Sequence, residues 1–140
     1  LNIAACALGG AEEALRKALA YTGERAAFGK HLNEFQSVQF RLADMVMTLE
    51  AARLFLRQAA WSLDNGRPDA TERCAMAKRF VTEKAYQVTD DALQLFGGYG
   101  YLADYGIEKI LRDLRVHRIL EGTNEIMQLI VSRSLVAGKI

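Results

Sequence analysis

Proline is nearly missing from this chain: Pro68 is the single one in 140 residues. Proline removes a backbone donor and clashes with the preceding helical turn, so its scarcity leaves long helices uninterrupted. Cysteine and histidine are as rare, with Cys6, Cys74, His31 and His117. Both cysteines lie in apolar, helix-like sequence and read as buried thiols of a reducing compartment, not as a disulfide framework. None of the four has a partner at metal-ligand spacing, so no metal is expected. Neither sign of charge is in excess. The 18 Lys and Arg against 17 Asp and Glu leave +1, which makes no case for nucleic acid or an anionic membrane as partner. No apolar run is long enough to span a bilayer, and no signal peptide is expected.

What the chain has in quantity is helix formers: Ala, Leu, Arg, Glu, Gln and Met. The length suits one domain with a real core. Apolar spacing predicts a first helix over residues 1 to about 21, with Leu1, Ile3, Ala4, Leu8, Ala11, Leu15, Ala18 and Leu19 inward. Gly9 and Gly10 weaken it but permit close packing of a neighbouring helix. Residues 22–32 break the pattern, and Phe28 within them reads as a connector side chain packing inward. Asn33 and Gln36 have the form of a capping box opening a second helix that ends near Asn65-Gly66. Its inward face is Val38, Leu42, Met45, Val46, Leu49, Ala52, Leu56, Ala59 and Ala60. Asp69 and Glu72 form a second such box, opening a third helix to about Phe96 that stops at Gly97-Gly98. A shorter helix is predicted over about 105–116 and a last one over about 123–137, carrying Ile126, Met127, Leu129, Ile130 and Val131. Three long helices and a two-part C-terminal arm on short connectors make an all-α, antiparallel up-down four-helix bundle. No strand-period segment is long enough to predict a sheet.

Glu121 stands out in the stretch Arg118-Ile119-Leu120-Glu121-Gly122-Thr123-Asn124-Glu125. Gly122 permits a tight turn, and Thr123 and Asn124 are good helix N-cap types. A carboxylate at a helix start is favoured by the helix dipole, which also keeps it available as a base, but local chemistry alone favours a simple charge complement over a general base. Arg112, Arg115 and Arg118 form a repeat that reads as a solvated face diluted by Glu108 and Asp113. Arg133 falls near the apolar face, where its stem packs with its head in water or its guanidinium opens on a ligand.

The irregular stretches taken in order point further. Arg25-Ala26-Ala27-Phe28-Gly29-Lys30 leads to Phe35-Gln36 and to Leu42-Ala43-Asp44-Met45. Gln94-Leu95-Phe96-Gly97-Gly98-Tyr99-Gly100-Tyr101 follows, then Arg112-Asp113 and Glu121-Gly122-Thr123-Asn124-Glu125. This ordered set, covering essentially the whole chain, resembles the C-terminal helical domain of the flavin-dependent acyl-CoA dehydrogenases. Residues 1–6, Met76-Ala77-Lys78 and Gly98-Tyr99-Gly100-Tyr101-Leu102 look most like the isobutyryl-CoA branch.

The resemblance implies roles residue by residue. Glu121 matches the base that removes the α-proton of an acyl thioester while the β-hydrogen leaves as hydride to the flavin. Some relatives carry that base on the first helix of this domain and have a small residue here. Gly122 and Arg133 match substrate-binding positions. Arg25 and Phe28 match contacts to the FAD diphosphate and adenosine, Phe35 and Gln36 a second FAD contact, Gln94, Leu95, Phe96, Gly97 and Gly98 the loop at the adenosine end, and Thr123, Asn124 and Glu125 the last FAD contact. The implied cofactor is FAD and the implied substrate a short, possibly branched acyl-CoA. The implied partners are electron-transfer flavoprotein and further copies of the chain, as a homodimer or homotetramer. The implied compartment is the bacterial cytoplasm or the mitochondrial matrix. Residues 1–140 then form the single C-terminal domain of a longer protein, without its N-terminal helical and middle β-domains and inactive alone. An acyl-CoA oxidase and a non-catalytic helical assembly module are the alternatives.

Overall fold

The computed structural model describes residues 1–138 and 140. Five α-helices carry the fold: α1 (Asn2–Glu24), α2 (Gln36–Asp64), α3 (Ala70–Phe96), α4 (Ile107–His117) and α5 (Asn124–Val136). Helix α3 is central and packs against each of the others. Tyr21 near the end of α1 stacks on Phe96 at the end of α3, with ring centroids 4.2 Å apart, so these helices run the same way. Arg41 near the start of α2 faces Asp91 near the end of α3 at 4.0 Å, so α2 runs against them. Lys17 donates to the Tyr105 carbonyl at 3.4 Å and Gly10 meets Leu114, so α4 also runs against α1. The result is the expected up-down bundle.

Alanine sets its spacing. Ala4, Ala7, Ala11, Ala14 and Ala18 of α1 and Ala77, Ala85 and Ala92 of α3 are completely buried. Side chains this small bring two backbones close, and Met45, Leu49, Val81, Val88 and Ile107 fill what remains. Ala85→Leu should therefore overpack the bundle and lower its stability by about 1–3 kcal/mol, read as a fall in the urea midpoint at unchanged slope. At Gly10 a Cβ would lie 2.6 Å from Leu114 Cδ1, so this glycine does admit the neighbouring helix.

The helix ends correct several expectations. Gly66, expected as a left-handed C-cap, has a positive φ (59°) just past the end of α2, and α3 stops at Gly97 as expected, where φ is also positive (59°). Phe35, not Asn33, is the N-cap of α2, because residues Leu32–Glu34 first form a 3₁₀ turn in which Glu34 Oε2 accepts the His31 N–H at 2.6 Å. Asp69 is the N-cap of α3 but makes no side-chain cap; Arg67 and Arg73 occupy its carboxylate at 3.0 and 2.6 Å and hold it below the usual carboxylate range. Helix α4 starts at Ile107, after the 3₁₀ segments Gly97–Tyr101 and Ala103–Tyr105. Cys6 is exposed and only Cys74 is partly buried. Leu19, Val46, Ile126 and Leu129 also face outward, while the buried residues of α5 are Asn124 and Ser134. The connector after α1 holds a strand pair too short to show a period: β1 (Ala26–Ala27) against β2 (Lys30–His31), antiparallel.

Candidate functional site

The predicted residues gather at two places. The first is the end of the bundle where α1 and α3 finish. Arg25 leaves α1 in extended conformation, and its guanidinium lies over the Tyr99 ring at 5.4 Å, tying the first connector to the Gly97–Tyr101 turn. Phe28 and Gly29 form the two-residue tip of the β1–β2 hairpin, both with positive φ (53° and 84°). Such a turn is normally given to Asn-Gly, since bulky side chains are disfavoured at positive φ. Phe28 takes that conformation and is 96% exposed, so it does not pack inward as a connector residue would. Its ring meets Phe35 edge-on at 6.4 Å, and Lys30 Nζ lies over the Phe35 ring at 4.2 Å. Gln36 and Gln94 are exposed, Leu95 is half-buried, and Phe96 belongs to the core.

The second place is the turn between α4 and α5. Thr123 caps α5, its hydroxyl accepting the Ile126 N–H at 3.4 Å. Glu121 has a φ of 54° and Gly122 a φ of 88°. A Cβ on Gly122 would come 2.8 Å from Met127 Cε. The Glu121 carboxylate is exposed, and around it Ile119, Leu120 and Ile126 are exposed as well. Glu125, next on α5, is held below the usual carboxylate range by its own backbone N–H and by the Thr123 hydroxyl. Arg133 lines a groove of about 380 Å³ with Glu72, Ile126, Leu129, Ile130 and Ser134.

Under this turn is a polar cluster that the sequence reading did not assemble. Lys78 of α3 donates to the Gly122 carbonyl and to Asn124 Oδ1, both at 2.8 Å. Thr82 Oγ1 lies 3.2 Å from Asn124 Oδ1. Asn124 Nδ2 and Arg118 Nε donate to the same oxygen of Glu83, at 2.9 and 3.0 Å. Asn124 thus has side-chain partners within the protein on both its oxygen and its nitrogen. Arg118 is paired with Glu83 and Arg112 with Glu108. His117 beside the cluster is partly buried, its Nδ1 has no partner among the described residues, and burial pushes its pKa down. A signal for Lys78 was present: residues 74, 78, 81, 85, 88 and 92 share one helical stripe, which puts a lysine among core positions.

FAD presents a diphosphate and an adenine, and the bundle end where α1 and α3 finish suits both. Among the described residues the Arg25 guanidinium, held over Tyr99, pairs with no carboxylate and Phe28 is an exposed ring, whereas the first N–H groups of α5 are taken within the protein, that of Asn124 by the Arg118 carbonyl, that of Glu125 by its own carboxylate and that of Ile126 by the Thr123 hydroxyl. The residues present fit the group.

Residues 1–136 match the family described as acyl-CoA dehydrogenase, C-terminal domain. The mitochondrial isobutyryl-CoA dehydrogenase of Dictyostelium discoideum is 53% identical over 135 residues, which are 96% of this chain and 32% of that protein. Butyryl-CoA dehydrogenase from Megasphaera elsdenii has the same fold at a TM-score of 0.91 with 43% identity, covering 96% of this chain and 35% of that one. An FAD complex of PigA aligns at a TM-score of 0.88 with 38% identity, over 95% of this chain and 34% of that one. The chain therefore spans about a third of the length of the relatives it matches. With the family match running through nearly every residue, and with such identities behind it, the chain belongs to the acyl-CoA dehydrogenases, as their C-terminal helical domain.

Proposed function

We propose that the chain is the C-terminal domain of a complete FAD-dependent acyl-CoA dehydrogenase whose N-terminal helical and middle β-domains lie in the rest of the protein. In this reading Glu121 is the base. The observation that carries it is an exposed glutamate held at positive φ in the turn before α5, with exposed Ile119 and Leu120 preceding it in the chain and exposed Ile126 on the first turn of α5. An α C–H beside a thioester is a weak acid, so the base has to be aimed at it and desolvated when substrate closes the site. Those apolar side chains supply a dry wall once substrate and neighbouring domains cover them. Glu121 takes the α-proton, and the thioester end rests against Gly122. Bound FAD supplies the acceptor for the β-hydride, leaving an α,β-unsaturated thioester, and the electrons go on to electron-transfer flavoprotein. Arg133 is a substrate contact, and a short, branched acyl group is the favoured substrate, supported by the identity with isobutyryl-CoA dehydrogenase. The compartment is one where acyl thioesters are oxidised, the bacterial cytoplasm or the mitochondrial matrix. The test is to purify the complete protein and titrate it with isobutyryl-CoA and butyryl-CoA. Bleaching of a bound flavin spectrum is expected; a protein that holds no flavin, or flavin that neither thioester bleaches, overturns the reading.

The same reading includes assembly with further copies. Lys78 and Phe96 are 18 residues apart on α3, about 27 Å at about 1.5 Å per residue. The cluster of Arg25, Phe28 and Gln94 is thus remote from Glu121, a separation that suits contacts to two cofactors, one of them a neighbour's. Phe40, Met47, Leu54 and Trp61 of α2 are all exposed and lie seven residues apart. A seven-residue apolar repeat is the seam of a helix that packs on another helix, and an apolar stripe of this size marks an interface. Met47→Glu with Leu54→Glu is expected to convert the complete enzyme to smaller species in sedimentation velocity, with helical content kept because both positions are on the surface. Unchanged sedimentation would exclude α2 from the interface.

A further inference from the structure

Among the described residues Lys78 is the one buried charged side chain, 4% exposed. Burying an ammonium is unfavourable unless its protons find acceptors and its charge finds counter-charges. Lys78 has both. Its hydrogen bonds go to the Gly122 carbonyl and Asn124 Oδ1, and the charged groups facing it are Glu83 of its own helix, Glu121 and Glu125 of the next turn and α5, with Arg118 and His117 at the end of α4. Desolvation pushes its pKa down, and the three glutamates oppose that shift.

What this arrangement grips is the turn that carries Glu121. A non-glycine residue at a φ of 54° is in the left-handed region, which its Cβ disfavours. Such a conformation persists only where the surroundings over-determine it. Gly122 and Asn124 are the first and third residues after Glu121, and the Lys78 ammonium binds both. Asn124 is tied in turn to Thr82 and Glu83 and, through its N–H, to the Arg118 carbonyl at 3.0 Å. The turn is therefore pinned to α3 directly behind the base and at both of its ends.

We propose that Lys78 is a positioning residue: its ammonium clamps the Glu121–Gly122 turn to α3, holding the Glu121 carboxylate in the left-handed conformation from which it meets the substrate α-carbon. This rests on the reading of Glu121 as the base.

The test uses Lys78→Met in the complete flavoenzyme, with kcat expressed per bound flavin. Misplacing a catalytic group by about 1 Å costs on the order of 100-fold, so a loss of about 10- to 100-fold in kcat is expected. KM for the acyl-CoA should change much less than kcat, because of the proposed substrate contacts only Gly122 lies on the clamped turn. The isotope effect from α-deuterated substrate should rise as proton removal becomes more limiting. In flavin-free protein, hydrogen exchange over residues 119–126 should accelerate. A variant that is merely less folded loses flavin, but its remaining sites turn over normally with the original isotope effect. That result, or unchanged exchange over 119–126, overturns the proposal. Should Lys78→Met not fold, Lys78→Gln, which keeps a neutral donor, is read by the same quantities: a smaller loss of kcat with a raised isotope effect supports the clamp, and wild-type values overturn it. Glu121→Gln run alongside separates the two ideas. If Glu121→Gln turns over normally, the base assignment fails and the exchange measurement still decides whether Lys78 clamps the turn. If Glu121→Gln is inactive while Lys78→Met is normal, the clamp alone fails.

Discussion

Glu121→Gln in the complete enzyme is expected to keep its flavin and lose acyl-CoA-dependent bleaching. The substitution removes the one thing the carboxylate is proposed to do, accept a proton, and alters almost nothing else. The side chain is exposed, and the hydrogen bond from Lys78 reaches the backbone of Gly122, not the Glu121 carboxylate. The fold and the start of α5 should therefore be undisturbed. General-base catalysis contributes about 10²- to 10⁴-fold, so the rate of flavin bleaching after rapid mixing should fall by about that range. Equilibrium binding of the thioester, followed by a spectral shift without bleaching, should survive. Reduction at the normal rate would show that the base lies elsewhere.

Arg25→Met should produce the second-largest effect, on cofactor binding. Arg25 departs from α1 with extended backbone, its ring-stacked guanidinium held over Tyr99 and unpaired with any carboxylate among the described residues. A cation so arranged is ready to accept a diphosphate with its two-pronged donors. Hydrogen bonds to charged groups contribute about 1.5–3 kcal/mol each, so FAD should bind about 10- to 100-fold more weakly. Flavin fluorescence during titration of the apoenzyme gives the dissociation constant. Arg25→Lys should fall between, since it keeps the charge and loses the fork and the flat stacking surface. An unchanged constant in Arg25→Met would leave Arg25 as a bundle-end contact with Tyr99 and nothing more.

How far the sequence carried the structure depends on which forces act locally. Gly66 and Gly97 marked helix ends because a positive φ is a backbone requirement that the residue itself announces. Thr123 announced its cap for the same reason: the bond is made three residues away. The long-range choices were hidden. Asn33 has the right chemistry for a cap, but the hairpin and the 3₁₀ turn moved the helix start to Gln36. Asp69 was likewise drawn off by two arginines. The apolar residues of α5 read as core, yet Ile126 and Leu129 face outward, because the side of α5 laid on α3 is the one with Asn124 and Ser134. Local chemistry alone favoured the plainer role for Glu121 and for Phe28. The backbone does single them out: among the described residues they are the only two non-glycines at positive φ, and both were already marked by the family resemblance.

The left-handed backbone at Glu121 also bears on how such a position changes over generations. Glutamate there is tolerated by the fold, not favoured by it, so under the proposed assignment selection on activity is what retains it. A lineage that moved its proton acceptor to another helix would release that hold. Most side chains would then inherit the unfavourable φ with no compensating benefit, and glycine alone would relieve it outright. Drift at residue 121 is therefore directional. In descendants that keep the chemistry the position stays acidic; in those that relocate it, the position slides toward glycine. Under the proposed assignment, a glycine at this position in a related chain is the expected trace of a base that has moved.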